Sequence, residues 1–418
     1  MHITIFYIIV GILVFDYLLD RFLSYLNSTR WSDKLPEDLE GIYDAEKYRK
    51  QQNYEKENHR FSLVTGAVSF VIIMLMLFLD GFQFVHEYVS GVTDHPILMA
   101  MLFFGILMFA SDIINTPFAV YDTFIIEEKY GFNTTTVKTF IFDKIKGWFL
   151  AIILGGGLLS AIIWIYTLTS DMFWIYAWIL ITAFMIFMTM FYSTLIVPLF
   201  NKQTPLEEGD LRSEIEGFSK KVGFKLKNIY QIDGSKRSRK ANAYFSGIGA
   251  KKRIVLYDTL IKDLNIREIV AVLAHEIGHY KKKHTLTGIV ISVIQTGITL
   301  YLFSLFIGNT DFSKALVPEA EQPLFHIGLI TFGILYSPIS TILGLGMNIM
   351  SRKNEYQADR FAGENYDAKE LQEALKRLSV KNLSNLTPHP VYVFFNYSHP
   401  PLLKRLEALK SVGNRQSA

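Results

Sequence analysis

Seven long apolar stretches, joined by connections that are alternately rich in and nearly free of basic residues, leave this chain few folds to choose from. The stretches are 3–26, 63–84, 97–111, 148–167, 172–199, 286–307 and 324–349. Most reach the ~20 residues that a helix needs to cross hydrocarbon. Seven Lys and Arg residues lie between the first two stretches and none between the next two. Four, none, eighteen, one and eleven then follow. Of 42 basic residues only Arg21 and Lys314 fall outside the alternation. This is the positive-inside pattern, and one missed or invented span would scramble it. It predicts an integral, multi-pass protein with its amino terminus outside and both 200–285 and the carboxy terminus in the cytoplasm. The third stretch is the shortest, ended at 111 by Asp112 and Asn115-Thr116-Pro117. The first is read as a retained helix rather than a signal peptide, because it lacks a basic start and carries Asp16, Asp20 and Arg21.

Composition agrees. Half the residues are hydrophobic and 19% are charged, against about 25% in soluble domains. A net charge of +3 gives no pull toward nucleic acid. The absence of cysteine rules out disulfides and thiolate sites, leaving histidine and carboxylate as the strong metal ligands.

The polar remainder lies mainly in 200–285 and 350–418, on the same side, so the two can meet as one small α+β domain. The chain then divides into 1–199 with five spans, 200–285, 286–349 with spans six and seven, and 350–418. Leu211, Ile215 and Phe218 recur at helical spacing, with Gly223 as a stop. Residues 241–258 read as a hairpin with a Gly-containing turn.

Chemistry is concentrated in "AVLAHEIGHYKKKH" (271–284). Asn265 and Glu268 have the form of a capping box, and Ile269, Val270, Leu273 and Ile277 keep helical spacing. His275 and His279 therefore share one helical face and can converge on one ion, with Glu276 one step around the helix, placed to take a proton from the attacking water. Lys281, Lys282 and Lys283 suit the helix end and a membrane surface. A catalytic zinc needs a third protein ligand. "SRKNEYQADRFA" (351–362) supplies Glu355 to complete a His-His-Glu set. It also supplies Asp359, which can accept a hydrogen bond from a ligand imidazole and fix its tautomer. Outside this context the same spacing is an ordinary solvated helix.

Six ordered segments carry a resemblance over nearly the whole length: "EEKYGFNTTT" (127–136), "PLFNKQTPL" (198–206), "NAYFSGI" (242–248), "HEIGHYKKKH" (275–284), "EYQAD" (355–359) and "YSHPPLLKRLEALK" (397–410). The chain resembles the type 1 CAAX prenyl proteases, integral-membrane zinc endopeptidases that trim the carboxy-terminal tripeptide of prenylated proteins. The resemblance implies seven tilted helices enclosing a chamber, closed on the cytoplasmic side by the zinc domain. It implies one Zn2+ per chain on His275, His279 and Glu355, with Glu276 as general base. It implies that His399 and Arg405 point into the site, where groups of their kind stabilise charge on the scissile carbonyl. It also makes Asn242, Ala243, Tyr244 and Phe245 the edge strand that holds an extended peptide. By themselves, 399–401 are a turn before a helix and 241–258 a plain hairpin.

The expected partners are a peptide or protein substrate, lipidated or not, and the bilayer. The alternatives are a quality-control protease acting on unmodified membrane proteins and a metal-binding transporter. Against the transporter, the histidines and carboxylates cluster outside the spans and no repeat is visible. The lack of cysteine and of an ER-retrieval signal leans toward a bacterial inner membrane, with the ER membrane as alternative. His284 is expected at the interface, with a place behind a ligand histidine as the alternative. His326 and Gln295 are expected to face the interior or each other.

Overall fold

The computed structural model describes every residue except 225, 227–228, 248–252 and 417–418. The membrane part runs through α1 (His2–Ser28), α2 (Ala45–Phe78), α3 (Gly81–Ser90), α4 (Pro96–Tyr121), α5 (Val137–Leu150), α6 (Gly157–Thr169), α7 (Phe173–Leu195) and α8 (Val197–Phe200). A mixed segment follows: β1 (Gln203–Pro205), α9 (Asp210–Lys221), β2 (Ile229–Ile232), β3 (Ala243–Ser246), β4 (Arg253–Tyr257), α10 (Asp258–Asp263) and α11 (Ile266–Lys281). The chain re-enters the membrane with α12 (His284–Ile307), turns through α13 (Thr310–Lys314) and leaves along α14 (Phe325–Ala362). It ends with α15 (Ala368–Lys381), α16 (Pro390–Asn396) and α17 (Leu402–Gln416).

Among the described residues, six helical runs are long and apolar enough to cross a membrane. One of them, 137–200, turns at residues 170–172, where Ser170 takes φ 44, so this run supplies two of seven crossings. The second crossing ends at Phe78 rather than 84. Asp80 adopts a left-handed φ of 50, and α3 follows as a separate helix burying Phe82, Val85 and Val89. The third does not end at 111 but continues to Tyr121 with Pro117 inside the helix. Pro removes a donor from the ladder. The side chains expected to break the helix instead serve its carbonyls: Asn115 Nδ2 donates to Ser111 O at 2.8 Å and Thr116 Oγ1 to Asp112 O at 2.6 Å. The fourth starts early, at Val137, where Thr136 Oγ1 accepts from the Thr139 amide, and a π-turn over 151–156 joins α5 to α6.

The most apolar windows of the spans are only 6–11% buried, apart from 22% in the last. A helix packed on a solid core buries a stripe of about 100°, more than a quarter of its positions. These helices meet along narrow seams. The seams gather Ile9, Phe103 and Ile327, and separately Ile163, Phe173 and Phe303, at the end away from the basic connections.

At the basic end the two polar segments share one core. Ile215, Phe218, Ile254, Leu256, Leu273 and Ile277 pack with Ala362, Leu371 and Leu409. Burying each large side chain there contributes about 1.5–3 kcal/mol. The sheet has the order β1-β2-β4-β3, with β2 and β4 parallel and the other pairs antiparallel. The expected hairpin is β3 and β4, with Ala243 opposite Leu256; its turn lies outside the described residues. Placing β3 at the edge leaves one of its sides without a strand among the described residues.

α14 fixes the site's position. At 38 residues it is about 57 Å long, nearly twice the ~30 Å of hydrocarbon. Its last turns therefore stand inside the domain and carry Glu355 and Asp359 against α11. The two backbones touch at Gly278, where an added Cβ would lie 3.1 Å from Ala358 Cα and 3.2 Å from its carbonyl oxygen. Backbone atoms cannot rotate away, so Gly278→Ala is expected to push α14 off α11. Displacements near 1 Å in a site cost about 10²-fold in rate. Cleavage should fall on that scale while far-UV circular dichroism stays unchanged; parental kinetics would show the contact to be slack.

Candidate metal centre

α11 begins with the expected capping box. Asn265 Oδ1 accepts from the Glu268 amide at 3.0 Å, and Glu268 Oε2 accepts from the Asn265 amide at 2.9 Å. The helix then presents His275 and His279 on one face, their Nε2 atoms 3.1 Å apart. Glu355 reaches both from α14, with Oε1 3.2 Å from His279 Nε2 and Oε2 3.4 Å from His275 Nε2. These are the residues whose donor atoms converge, among the described residues, as a metal-ligating group does. Four donors placed tetrahedrally at the 2.0–2.1 Å typical of zinc-bound nitrogen and oxygen lie about 3.3 Å from one another, close to the spacing found. Glu355 Oε2 is buried with only long contacts, His275 Nε2 at 3.4 Å and Arg405 Nη1 at 3.5 Å, a weakly satisfied state that a cation at the focus relieves. The residues fit a divalent metal.

Supports stand behind the ligands. Asp359 Oδ1 lies 2.8 Å from His275 Nδ1, so Nδ1–H donates outward and Nε2 is the nitrogen turned to the focus. Arg405 grips Asp359 with both arms of its fork, Nε to Oδ2 at 2.8 Å and Nη2 to Oδ1 at 2.6 Å. Its third nitrogen, Nη1, is 3.5 Å from Glu355 Oε2. Burial opposes ionisation of Glu355, but hydrogen bonds from His275 and His279 hold its carboxyl far below the usual range. Burial likewise opposes ionisation of Asp359, and Arg405 and His275 outweigh it. His275 would be depressed by burial, yet its bonds to Asp359 and Glu355 push it up to about 9.

His279 has its own support. His284 Nδ1 is 3.1 Å from His279 Nδ1, and its Nε2 is 3.2 Å from Gln357 Oε1. Of the two places expected for His284, this contact is the one behind a ligand histidine. It depends on the left-handed turn at Lys283, φ 60, that bends α12 back toward α11.

A cavity of about 570 Å³ opens onto the centre, lined among others by Asn242, Ala243, Phe245, Glu276, His399 and Arg405. Glu276 is half-buried and makes no hydrogen bond or ion pair among the described residues. His399 is exposed, held by Ser398 Oγ at 2.9 Å, with Nε2 3.3 Å from Glu355 Oε1. Tyr244 points to the other face of β3, as strand alternation requires, and its hydroxyl meets Gln203 at 3.5 Å. Asn382, not anticipated from sequence, accepts from the Ala241 amide at 3.1 Å and donates to its carbonyl at 3.3 Å, tying down the approach to β3. His326 pairs with His86 at 3.1 Å rather than with Gln295, and Asp112 binds Lys144 Nζ at 2.8 Å.

Residues 24–202 match the family model described as the CAAX prenyl protease N-terminal region of five membrane helices, and residues 205–412 match Peptidase family M48. A CAAX prenyl protease 1 homolog of Arabidopsis thaliana is 36% identical over 96% of each chain. CAAX prenyl protease 1 of Saccharomyces cerevisiae is 34% identical over 98% of this chain and 96% of its own. The crystal structure of S. mikatae Ste24p superposes with a TM-score of 0.90 at 33% identity, covering 97% of this chain and 98% of that one. Long aligned helices, a converging donor set and full-length similarity agree: the chain is a multi-pass membrane metalloendopeptidase and belongs to the CAAX prenyl protease 1 family within peptidase family M48.

Proposed function

We propose that this protein is a zinc-dependent endopeptidase that cleaves peptide bonds near the carboxy terminus of CAAX-type prenylated proteins. The observation that carries the reading is the meeting, in one cavity, of a three-donor metal focus, an unpaired carboxylate and an open sheet edge. His275, His279 and Glu355 would hold one zinc ion per chain. Bound there, zinc supplies a Lewis acid for the scissile carbonyl and acidifies the attacking water.

The remaining work falls to side chains. The extended peptide adds to the free side of β3 at Asn242, Ala243, Tyr244 and Phe245, through main-chain hydrogen bonds. Glu276 takes the proton from the attacking water and passes it to the leaving amine, which it can do because no partner holds its carboxylate. His399 is exposed beside the ligands and donates to the developing oxyanion. Arg405 acts mainly from behind, through Asp359 on His275, with Nη1 left to face the site. The low burial of the spans supports room for a prenyl chain within the bundle. The basic connections support a cytoplasmic face for the domain.

Metal content measured alongside cleavage of a farnesylated peptide and its unmodified counterpart tests this. About one zinc per chain is expected, with a KM at least about tenfold lower for the farnesylated peptide, since each buried methylene contributes about 0.8 kcal/mol. Equal kinetics would instead favour a quality-control protease. The cysteine-free composition argues for that reading through a bacterial cell membrane, where the natural carboxy terminus would be unprenylated.

A further inference from the structure

A cavity of about 1040 Å³ lies away from the metal centre, between the polar half of α2 and the end of α4. Five cations line it, Arg49, Lys50, Lys56, Arg60 and Lys129, against two carboxylates, Glu46 and Glu57. Two are neutralised, Lys129 by Glu57 at 2.7 Å and Lys56 by Asp33 at 2.9 Å. Arg49, Lys50 and Arg60 make no side-chain hydrogen bond or ion pair among the described residues. Arg49, Asn53, Arg60 and Val64 follow one another at helical spacing along a single face of α2, and Arg49 to Arg60 spans about 16 Å.

The groove changes character where the chain enters the apolar stretch beginning at 63. Its floor becomes Phe61, Val64, Pro117, Phe118 and Tyr121. Phe61 stacks on Tyr121 at 5.6 Å, while Val64 and Tyr121 remain 55% and 47% exposed. One continuous surface is therefore cationic on the water side and apolar on the hydrocarbon side.

We propose that this groove binds an anionic phospholipid, its headgroup phosphate against Arg60, with Arg49 and Lys50 adding positive field further along the groove, and an acyl chain along Val64, Pro117 and Phe118. Basic pockets between membrane helices select anionic headgroups, and guanidinium groups match phosphate oxygens in pairs. A zwitterionic lipid leaves the groove's excess of cations over carboxylates unbalanced. A soluble phosphate or an acidic peptide has no use for the floor.

The test uses the metal-loaded full chain in phosphatidylcholine nanodiscs with and without phosphatidylglycerol, counting retained lipids by native mass spectrometry. Phosphatidylglycerol should be retained over phosphatidylcholine by about tenfold. The Arg49→Gln/Lys50→Gln/Arg60→Gln variant should lose that preference, and the Lys138→Gln/Lys353→Gln/Lys369→Gln variant should keep it. Cleavage of an unmodified peptide in neutral discs checks folding; if the first triple variant fails that check, Arg60→Gln alone carries the comparison. Equal retention of both lipids by the parent overturns the proposal. So does displacement of the lipid by glycerophosphate at matched concentration, which would mark a soluble-anion site, or tighter binding of an acidic peptide than of the lipid.

Discussion

Glu276→Gln should keep the metal and lose cleavage. The two side chains are nearly isosteric, and Glu276 makes no hydrogen bond or ion pair in the described structure, so the change leaves no partner stranded and costs little stability. His275, His279 and Glu355 converge without it. What disappears is the ability to accept a proton, since a primary amide is not a base at neutral pH. General-base assistance accounts for about 10²–10⁴-fold in rate, so kcat should fall by that factor with metal content and KM close to parental. Elemental analysis and steady-state kinetics on one preparation read both halves. A variant that cleaves at the parental rate removes Glu276 from the reaction. A variant that loses metal makes it part of the ligand set.

How far the sequence could be read depended on whether a feature was local. The capping box at Asn265, the pairing of His275 with His279 and the hairpin were legible because helical and strand periods bring those residues together within a few positions. The alternation of basic connections carried information over the whole chain and gave the crossings. The ends of the crossings were less legible. Pro117 and its neighbours look like a stop, and only the folded helix shows Asn115 and Thr116 turned back onto their own carbonyls. The contacts of His284 and Asn382 were not legible for a related reason. The first reaches His279 only because Lys283 turns left-handed, and the second meets Ala241 across 141 positions. The resemblance puts Arg405 at the site, where it lines the cavity, but its bidentate grip on Asp359 is a long-range contact that no local period shows.

Glu355→Ala should abolish both metal binding and activity, and the loss should reach beyond the ligand count. Glu355 stands on the extension of α14, while both histidines stand on α11. A metal held by all three is therefore a clasp between the segment before α12 and the segment after the last crossing. Two imidazoles from a single helix make an incomplete catalytic set, which needs three protein ligands. The alanine also leaves Arg405 and His275 facing a void where their carboxylate was, at distances of 3.5 and 3.4 Å in the parent. Dialysis should strip the variant while the parent keeps its metal. Thermal unfolding should separate the two further. A ligand bound only to the folded state, present at 100 times its Kd, contributes about 2.7 kcal/mol. Added zinc should thus raise the parent's Tm and leave the variant's unmoved. Unchanged metal content after dialysis would exclude Glu355 from the ligand set. A zinc-dependent Tm shift surviving in the variant would mean that the clasp closes through another residue, for which His399, 3.3 Å from Glu355 Oε1, is the nearest replacement.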